Sequence, residues 1–490
     1  MDVFDLIVLG GGPAGYVAAE RASEGGLRTA LFEMSSLGGV CLNEGCIPTK
    51  AMLYSAKIYS GAAHGEPYGV RVERAALDHG LVLKRKNRVV KTLVSGVAAQ
   101  MKAHGVTVVP SRAAVRGRAA QGFCVEAGGG EYSARRLLIA TGSEPVVPPI
   151  PGVKEGLASG YVCTSREMLD LADVPKRLAI VGGGVIGLEL AGYFNAAGSK
   201  VTVVEMLDKI AGPTEAEISG ILLANMRKKG IEFRLGSKVE AILPGRGAQI
   251  AQIAQIAPAG GRAPGAGRAE TLREGAVGQA GAAGQAAAQA EIVEADKVLL
   301  CIGRRPRLAG FGLENLGAAV ERGAIATDSQ LRTNIPDLYA AGDVNGKAML
   351  AHTAYREAEA AVSHMLGRRD CMGYGAIPSV IYTTPEAACV GETPESARDK
   401  GLPFKTAKLS LRYAGRYVAE DEDGDGLCKI LADERTGRLI GAHIVGSYAS
   451  EIIVSAAMMI ESRWAASELK KLVFPHPTVG EILRESLFAL

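Results

Sequence analysis

Hydrophobic positions in this 490-residue chain fall into short, nearly unbroken runs, with little strict alternation. Residues 4–9 (FDLIVL), 29–32, 177–181, 201–204, 297–302 and 338–341 are of this kind. Unbroken apolar runs of that length suit parallel strands covered on both faces. An Ala-rich stretch with helical spacing follows the run at 4–9, and another follows the run at 177–181. Residues 51–105 read as mainly helical, and 137–140 as a strand leading into Thr141-Gly142-Ser143. Strand–helix–strand order, repeated, predicts an α/β protein with two Rossmann-like dinucleotide-binding domains. Beyond Cys371, strands and helices alternate in the manner of an α+β interaction domain. Prolines clustered between Pro145 and Pro151 mark a linker. The expected division is 1–150, 151–305, a central segment 306–370 that completes the first domain, and a C-terminal interface domain 371–490. Residues 244–290 are dominated by Ala, Gly and Gln with a repeated AQI triplet. They carry too little bulk to bury and read as an expanded surface loop between two strands of the second domain.

The turns after two of these strands carry specific chemistry. Residues 4–9 run into Gly10-Gly11-Gly12-Pro13-Ala14-Gly15, and 177–181 into Gly182-Gly183-Gly184-Val185-Ile186-Gly187. The first glycine of each trio permits a tight turn, the second admits a pyrophosphate to the backbone, and the third lets helix and strand pack closely. The strand that follows ends on Glu33 in one unit and Glu205 in the other. Each lies about 20 residues past its first glycine, where a carboxylate receives a ribose hydroxyl. Two such units in one chain imply two nucleotides exchanging electrons, a flavin and a nicotinamide. Glu205 would accept from a free 2′-hydroxyl and repel a 2′-phosphate, which favours NAD over NADP.

Between Gly38 and Lys50 the chain reads GGVCLNEGCIPTK. Cys41 and Cys46 are separated by four residues at the entry to a helix, with Pro48 in its first turn. A helix N-terminus near Cys46 favours its thiolate, and a tight strand-to-helix turn would bring the two Cα atoms within disulfide reach. Two unrelated buried thiols, or half a zinc site, is the plainer alternative, but zinc needs two more ligands and no second paired motif exists. Lys50, one helical turn beyond Cys46, reads as a flavin-side lysine. Asp343, ending the run at 338–341, is placed to meet a ribityl hydroxyl. Met349-Leu350-Ala351-His352 opens a helix to about Met365 whose N-terminus would stabilise a reduced flavin ring. Near the C-terminus His476 lies between two prolines, and Glu481, after a turn, can reach its imidazole and raise its basicity. A capped structural histidine is the alternative there.

Composition adds limits. The formal net charge is +3, with 48 % hydrophobic and 22 % charged residues. Neither a nucleic-acid footprint nor a membrane-spanning run is present. Eight scattered cysteines fit a reducing, cytoplasmic setting in which a disulfide is catalytic. The first strand starts almost at Met1, which is expected to leave no room for a targeting peptide.

GGVCLNEGCIPTK, GGGVIGLE, AAGDV, MLAH and HPTVGE, in that order, resemble the disulfide-dependent flavoprotein reductases, the pyridine nucleotide–disulfide oxidoreductases, over nearly the whole chain outside 244–290. Within them the chain is most similar to members that oxidise dihydrolipoamide. The resemblance implies FAD and NAD as cofactors and a homodimer built on the C-terminal dimerisation domain. It implies oxidation of dihydrolipoamide on a lipoyl-domain protein of a 2-oxo acid dehydrogenase complex or the glycine cleavage system, and a part in cell redox homeostasis. By the same resemblance Cys41 exchanges with substrate, Cys46 lies beside the flavin, and Lys50 pairs with Glu189. His476 and Glu481 form an acid–base pair serving the other subunit. Thr141, Gly142, Ser143, Asp343 and the segment from Met349 to His352 match flavin-contacting positions, while Val239 and Gly303 match nicotinamide-contacting ones. Glu44 departs from the family, which often has an apolar residue there, and the loop at 244–290 is not a family feature. Rival readings are a related disulfide or quinone reductase using NAD(P)H and, from another class, a non-catalytic flavoprotein subunit. Retention of both cysteines, His476 and Glu481 speaks against the last.

Overall fold

The computed structural model describes residues 2–119, 122–252 and 291–490. Its first sheet is organised by the strand Asp2–Leu9, which lies parallel between Thr29–Phe32 and Gly130–Ile139. Successive residues of this strand feed opposite faces. Ile7 and Leu9 enter one apolar cluster with Phe123 and Ile139, while Leu6 and Val8 enter another with Ala18 and Ala358. Both faces are therefore covered, which is why the sequence here is a continuous apolar run. Beyond its pairing with Asp2–Leu9, Gly130–Ile139 is shared between two further strands. Its first half runs antiparallel to Gly122–Ala127, and Leu137, Leu138 and Ile139 run parallel to the late strand Leu338–Ala340. The chain thus leaves this sheet, builds a second unit, and returns to complete the first.

The second unit is a five-stranded parallel sheet in the order Glu232–Arg234, Lys200–Val204, Arg177–Val181, Lys297–Leu300, Val162–Thr164. Beside it lies an antiparallel sheet of Ser237–Leu243, Gly247–Gln252 and Glu291–Glu294. The third unit is a five-stranded antiparallel sheet from Ser379–Ile381 to Leu439–Gly446, with the helices Ala449–Ser462 and Glu481–Phe488 packed in the same core. Among the described residues no helix is long and apolar enough to cross a membrane.

Three expectations are adjusted. The helical stretch at 51–105 is two helices, Cys46–Ala63 and His79–Ala103, joined by a mostly exposed connection. The helix expected from Met349 begins at Ala351, with Leu350 extended at its N-cap. The surface loop expected over 244–290 is in part a strand. Residues 247–252 pair with 237–243 and residues 247–250 also with 291–294, with Ile250 opposite Val239 and Glu291, because Ala248 and Ile250 bury against Val293 and Ile242. Residues 253–290 of that expected loop lie outside the described residues.

Gly247–Gln252 and Glu291–Glu294 form adjacent antiparallel strands, so their facing ends are within reach of a short turn. Replacing 253–290 by a Gly-containing turn should leave the thermal midpoint unchanged within about 3 °C or raise it, since a shorter loop costs less entropy to close. A cooperative calorimetric transition at the wild-type temperature is the check.

Candidate active site

Each nucleotide unit carries the same local device. Gly12 and Gly184 are the N-caps of Pro13–Glu24 and Val185–Ala196, and neither helix has a side-chain cap at its first turn. The free N–H groups and the helix dipole together favour an anion there. A Cβ on Gly15 would lie 1.8 Å from the Gly10 carbonyl oxygen, and one on Gly187 would lie 2.3 Å from that of Gly182. Only glycine permits this helix–turn approach. A Cβ on Gly184 would meet nothing within 4 Å, so that face is open to a ligand. Glu33 accepts from the Gly11 N–H at 2.7 Å and the Ser35 N–H at 2.7 Å. Glu205 accepts likewise from Gly183 at 2.6 Å and Leu207 at 2.8 Å. Both carboxylates are held over their glycine turns. Exposed Met206 and Leu207 add apolar surface beside Glu205. The residues present fit FAD in the first unit and NAD in the second.

The cysteine segment is docked on the first of these turns. Gly38 N–H donates to the Gly11 carbonyl at 2.8 Å, and a Cβ on Gly39 would lie 2.7 Å from Gly12 Cα. The expected strand-to-helix turn is instead a short helix, Gly39–Glu44, broken at Gly45 and resumed as Cys46–Ala63. Cys41 lies on the first helix and Cys46 opens the second, with the two sulfurs near 2.7 Å apart and both cysteines free. The neighbouring Cys41 thiol lowers the Cys46 pKa most, and the Lys50 ammonium and the Cys46 main-chain N–H act in the same direction. The neighbouring Cys46 and burial push Cys41 upward. The pair is therefore polarised, with Cys46 the more acidic thiol. Glu44, the residue that departs from the family, pairs with Arg166 at 3.1 Å.

Lys50 Nζ donates to Glu189 Oε2 at 2.8 Å and Oε1 at 3.1 Å. Glu189, on the helix of the second unit, is only 2 % exposed. It also accepts from the Tyr382 main-chain N–H at 3.0 Å, and the Tyr382 ring lies 4.6 Å below Lys50 Nζ. The expected pair is formed, and Tyr382, from the third unit, is an addition that no local signal in the sequence announces.

Further functional positions converge where the chain returns to the first sheet. Ser143 Oγ donates to Asp343, and Arg304 donates to the Ser143 hydroxyl at 2.8 Å and carbonyl at 2.9 Å. Arg304 belongs to the Gly303-Arg304-Arg305-Pro306 turn, but its link to Asp343 through Ser143 was not legible there. Thr141 Oγ1 donates to the Arg307 carbonyl at 2.8 Å, so this side chain fastens the crossing. Gly142 and Gly303 have positive φ, and a Cβ on either would meet nothing within 4 Å. Glu357, fully buried, accepts from Gly342 N–H, Asn345 and Tyr374, which fixes the turn bearing Asp343. The Ala351–Met365 helix starts without a side-chain cap, and His352 bonds the Pro378 carbonyl at 2.8 Å. Val239 packs its side chain into the second unit's core beside Val204 and Val181, so only its main chain remains for a nucleotide.

His476 Nδ1 lies 2.9 Å from Glu481 Oε1, while Thr478 N–H donates to Glu481 Oε2 at 2.9 Å. These contacts, the main-chain one first, hold the Glu481 carboxyl below its usual range. The His476 side chain is 76 % exposed, so the imidazole is oriented but faces outward from its own chain.

The profile of the pyridine nucleotide-disulphide oxidoreductases matches residues 4–358, and that family's dimerisation domain matches 377–487. The chain belongs to this family. Among its relatives, the dihydrolipoyl dehydrogenase of Chlamydia muridarum is 34 % identical over 99 % of this chain and 96 % of its own length. Dihydrolipoyl dehydrogenase 3 of Pseudomonas aeruginosa is 35 % identical over 99 % of this chain and 97 % of its own. Among solved structures, the HOCl-induced flavoprotein disulfide reductase RclA of Escherichia coli superposes with a TM-score of 0.80 at 26 % identity, covering 100 % of this chain and 99 % of that one. LpdA of Mycobacterium tuberculosis superposes at 0.84 with 24 % identity over 100 % and 99 %, which speaks to the fold. As a pyridine nucleotide-disulphide oxidoreductase, the protein is an enzyme that works with FAD and NAD(H).

Removing the Lys50 charge should act on both its neighbours. Lys50→Met leaves Glu189 buried with one main-chain donor, and should cost about 2–3 kcal/mol, between exposed and fully buried ion pairs. The Lys50→Met/Glu189→Leu double variant should recover part of that loss in thermal unfolding. Because Lys50 lowers the Cys46 pKa, its removal should move the midpoint for alkylation of reduced Cys46 to higher pH, with the thiolate present above the midpoint and lost below it.

Proposed function

We propose that this chain is a dihydrolipoyl dehydrogenase, oxidising dihydrolipoamide carried by a separate lipoyl-domain protein and reducing NAD⁺. The observation that carries this reading is the polarised Cys41–Cys46 pair beside Lys50, in a chain that also holds a preset His476–Glu481 dyad. With Cys41 and Cys46 oxidised to their disulfide, in the first exchange a substrate thiol gives its proton to His476 and its sulfur attacks Cys41. The Cys41–Cys46 bond breaks and Cys46 leaves as the thiolate that Lys50 stabilises. In the second, the other substrate thiol attacks the mixed disulfide and its proton passes to the departing Cys41 sulfur. Cys41 departs and the substrate closes to its cyclic disulfide, so two electrons now reside on the dithiol. FAD, when bound, supplies the two-electron relay from the dithiol to NAD⁺. Glu481 holds the imidazole and balances its charge.

The outward exposure of His476 supports a two-fold dimer in which each dyad serves the partner's dithiol. The dimerisation-domain match supports the same arrangement. The free cysteines support work in the reducing cytoplasm. The carrier is a lipoyl-bearing component of a 2-oxo acid dehydrogenase complex or of the glycine cleavage system. A panel of free lipoamide, glutathione disulfide and a quinone, each with NADH and NADPH, tests the reading. Lipoamide with NADH should be the fastest combination, and a faster quinone or glutathione rate would replace it.

Two further experiments sharpen the test. Mixing inactive Cys41→Ser chains with inactive His476→Gln chains should restore about a quarter of wild-type lipoamide activity, since half the dimers would be mixed with one intact site each. No recovery after verified subunit exchange would place His476 outside the partner's site. Glu205→Ala should raise the KM for NADH several-fold while relaxing discrimination against NADPH, measured by kcat/KM for both.

A further inference from the structure

The Lys50–Glu189 pair is closed off by a residue of the third unit. The strand Ser379–Ile381 ends beside it. Ile381 is buried in the apolar cluster that also holds Met52 of the dithiol helix and Leu188 of the second unit. That anchor sets the next residue, Tyr382, on the ion pair. Its main-chain N–H donates to Glu189 Oε1 at 3.0 Å, and its ring centroid lies 4.6 Å from Lys50 Nζ. The first is an ordinary hydrogen-bond distance and the second is within reach of a cation over an aromatic face. One residue thus holds the carboxylate with its backbone and the ammonium with its ring.

Lys50 has few directions left. Its Nζ donates to both Glu189 oxygens, and the ring covers another side. Its side chain is still 31 % exposed, so water competes for the ammonium. Cys46 and Lys50 stand at i and i+4 of the helix Cys46–Ala63. Residues at that spacing lie one above the other, and helical side chains lean toward the N-terminus, which here is the Cys46 end. The neighbouring Cys41 lowers the Cys46 pKa most, and the Lys50 charge adds to it. An ammonium that swings into water on its four-carbon stem loses most of its effect on a neighbour, whereas one held against a carboxylate and a ring keeps it. The phenol brings no charge of its own, because burial, and then Glu189, Glu386, Glu451 and Cys46, oppose its ionisation. Tyr382 therefore acts through a neutral ring.

We propose that Tyr382 is a positioning residue for the dithiol, its ring face and main-chain N–H together holding the Lys50–Glu189 pair so that the Lys50 charge stays beside Cys46. This rests on the dithiol reading above. No bond is made or broken by Tyr382, and its role is to keep the counter-charge of the Cys46 thiolate in place. The third unit thereby supports the dithiol of its own chain as well as carrying the His476–Glu481 dyad.

The test reads thiol ionisation in the FAD-loaded enzyme and does not depend on which disulfide is turned over. In a Cys41→Ser background, alkylation of Cys46 by iodoacetamide, followed by mass spectrometry against pH, gives its midpoint. Lys50 and Glu189 are the charged groups that face Cys46 there. Tyr382→Leu keeps the main-chain N–H and removes the ring, and should raise the midpoint by about half a pH unit, the size of a partly exposed cation–aromatic contact. Tyr382→Phe keeps the ring and should stay at the background value. Fluorinated phenylalanines at position 382 keep the shape but weaken the attraction of the ring for a cation, so the midpoint should climb with each added fluorine. This series carries the test if Tyr382→Leu does not fold. With Lys50→Met/Glu189→Leu already present, Tyr382→Leu should shift nothing further, as expected when one residue acts only through the other. An unchanged midpoint in Tyr382→Leu or across the fluorinated series would overturn the proposal, and so would a shift of the same size in the absence of Lys50. If another disulfide proves a better substrate than lipoamide while the Lys50-dependent shift holds, the substrate reading falls and the role of Tyr382 stands.

Discussion

The Glu189 carboxylate is the interaction on which the rest of the site depends. It is nearly inaccessible, and a buried carboxylate is tolerated only when its lone pairs are satisfied. Its three polar contacts come from two other units: two from Lys50, on the dithiol helix, and one from the Tyr382 main chain, in the third unit. The requirement to satisfy one anion therefore fixes three bodies against one another. Lys50 is thereby placed where its charge lowers the Cys46 pKa, so the group that stabilises the fold also sets the polarity of the dithiol.

A second seam reinforces this geometry. Glu215 caps the helix Ala216–Lys228 by accepting from Glu217 and Ile218 N–H, each at 3.0 Å. Its other oxygen accepts from Lys429 at 2.7 Å, and Lys429 also meets Glu217 at 2.6 Å. Lys429 is buried in the third unit's central strands, so the ion cluster joins the second unit to the dimerisation domain. Between the first and second units, Lys86 donates to the Leu169 carbonyl at 2.7 Å, and His79 bridges Tyr193 and the Leu171 carbonyl. These contacts are made by charged and polar groups that are costly to leave unpaired, so they resist sliding of one unit over another.

Much of this was legible in the sequence, for physical reasons that can be named. The strands at Thr29–Phe32 and Arg177–Val181 were readable residue by residue because both faces of each sheet are covered, which forces unbroken apolar runs. The glycine turns were readable because helix–turn contacts under 2.5 Å admit no side chain. Lys50 and Glu189 were paired through family resemblance, since nothing in their spacing connects them. Tyr382 and Arg304 were not read. Each acts across a gap in sequence set by the order of the units, and a tyrosine or arginine at such a place has no periodicity to mark it. The break at Gly45 was also missed, because alternation between helix and helix leaves no change of hydrophobic period.

The placement of the acid–base dyad follows from the same constraints. The first turn of Glu481–Phe488 holds Glu481, and the Thr478 N–H and the imidazole both bind its carboxylate. That helix is anchored in the third unit's core through Ile482, Leu483 and Leu487, while Val473, just before the dyad, is 96 % exposed. An imidazole oriented this well and a valine exposed this fully are poor economy for a surface that meets only water, but they suit one that is covered on dimerisation. The dithiol, in contrast, is pinned inside its own chain by Gly38, Gly39 and Lys50. In the proposed mechanism one half of the chemistry is therefore completed by folding and the other half by association, so that the thiol proton and the electron pair are handled by groups that different interfaces hold in place.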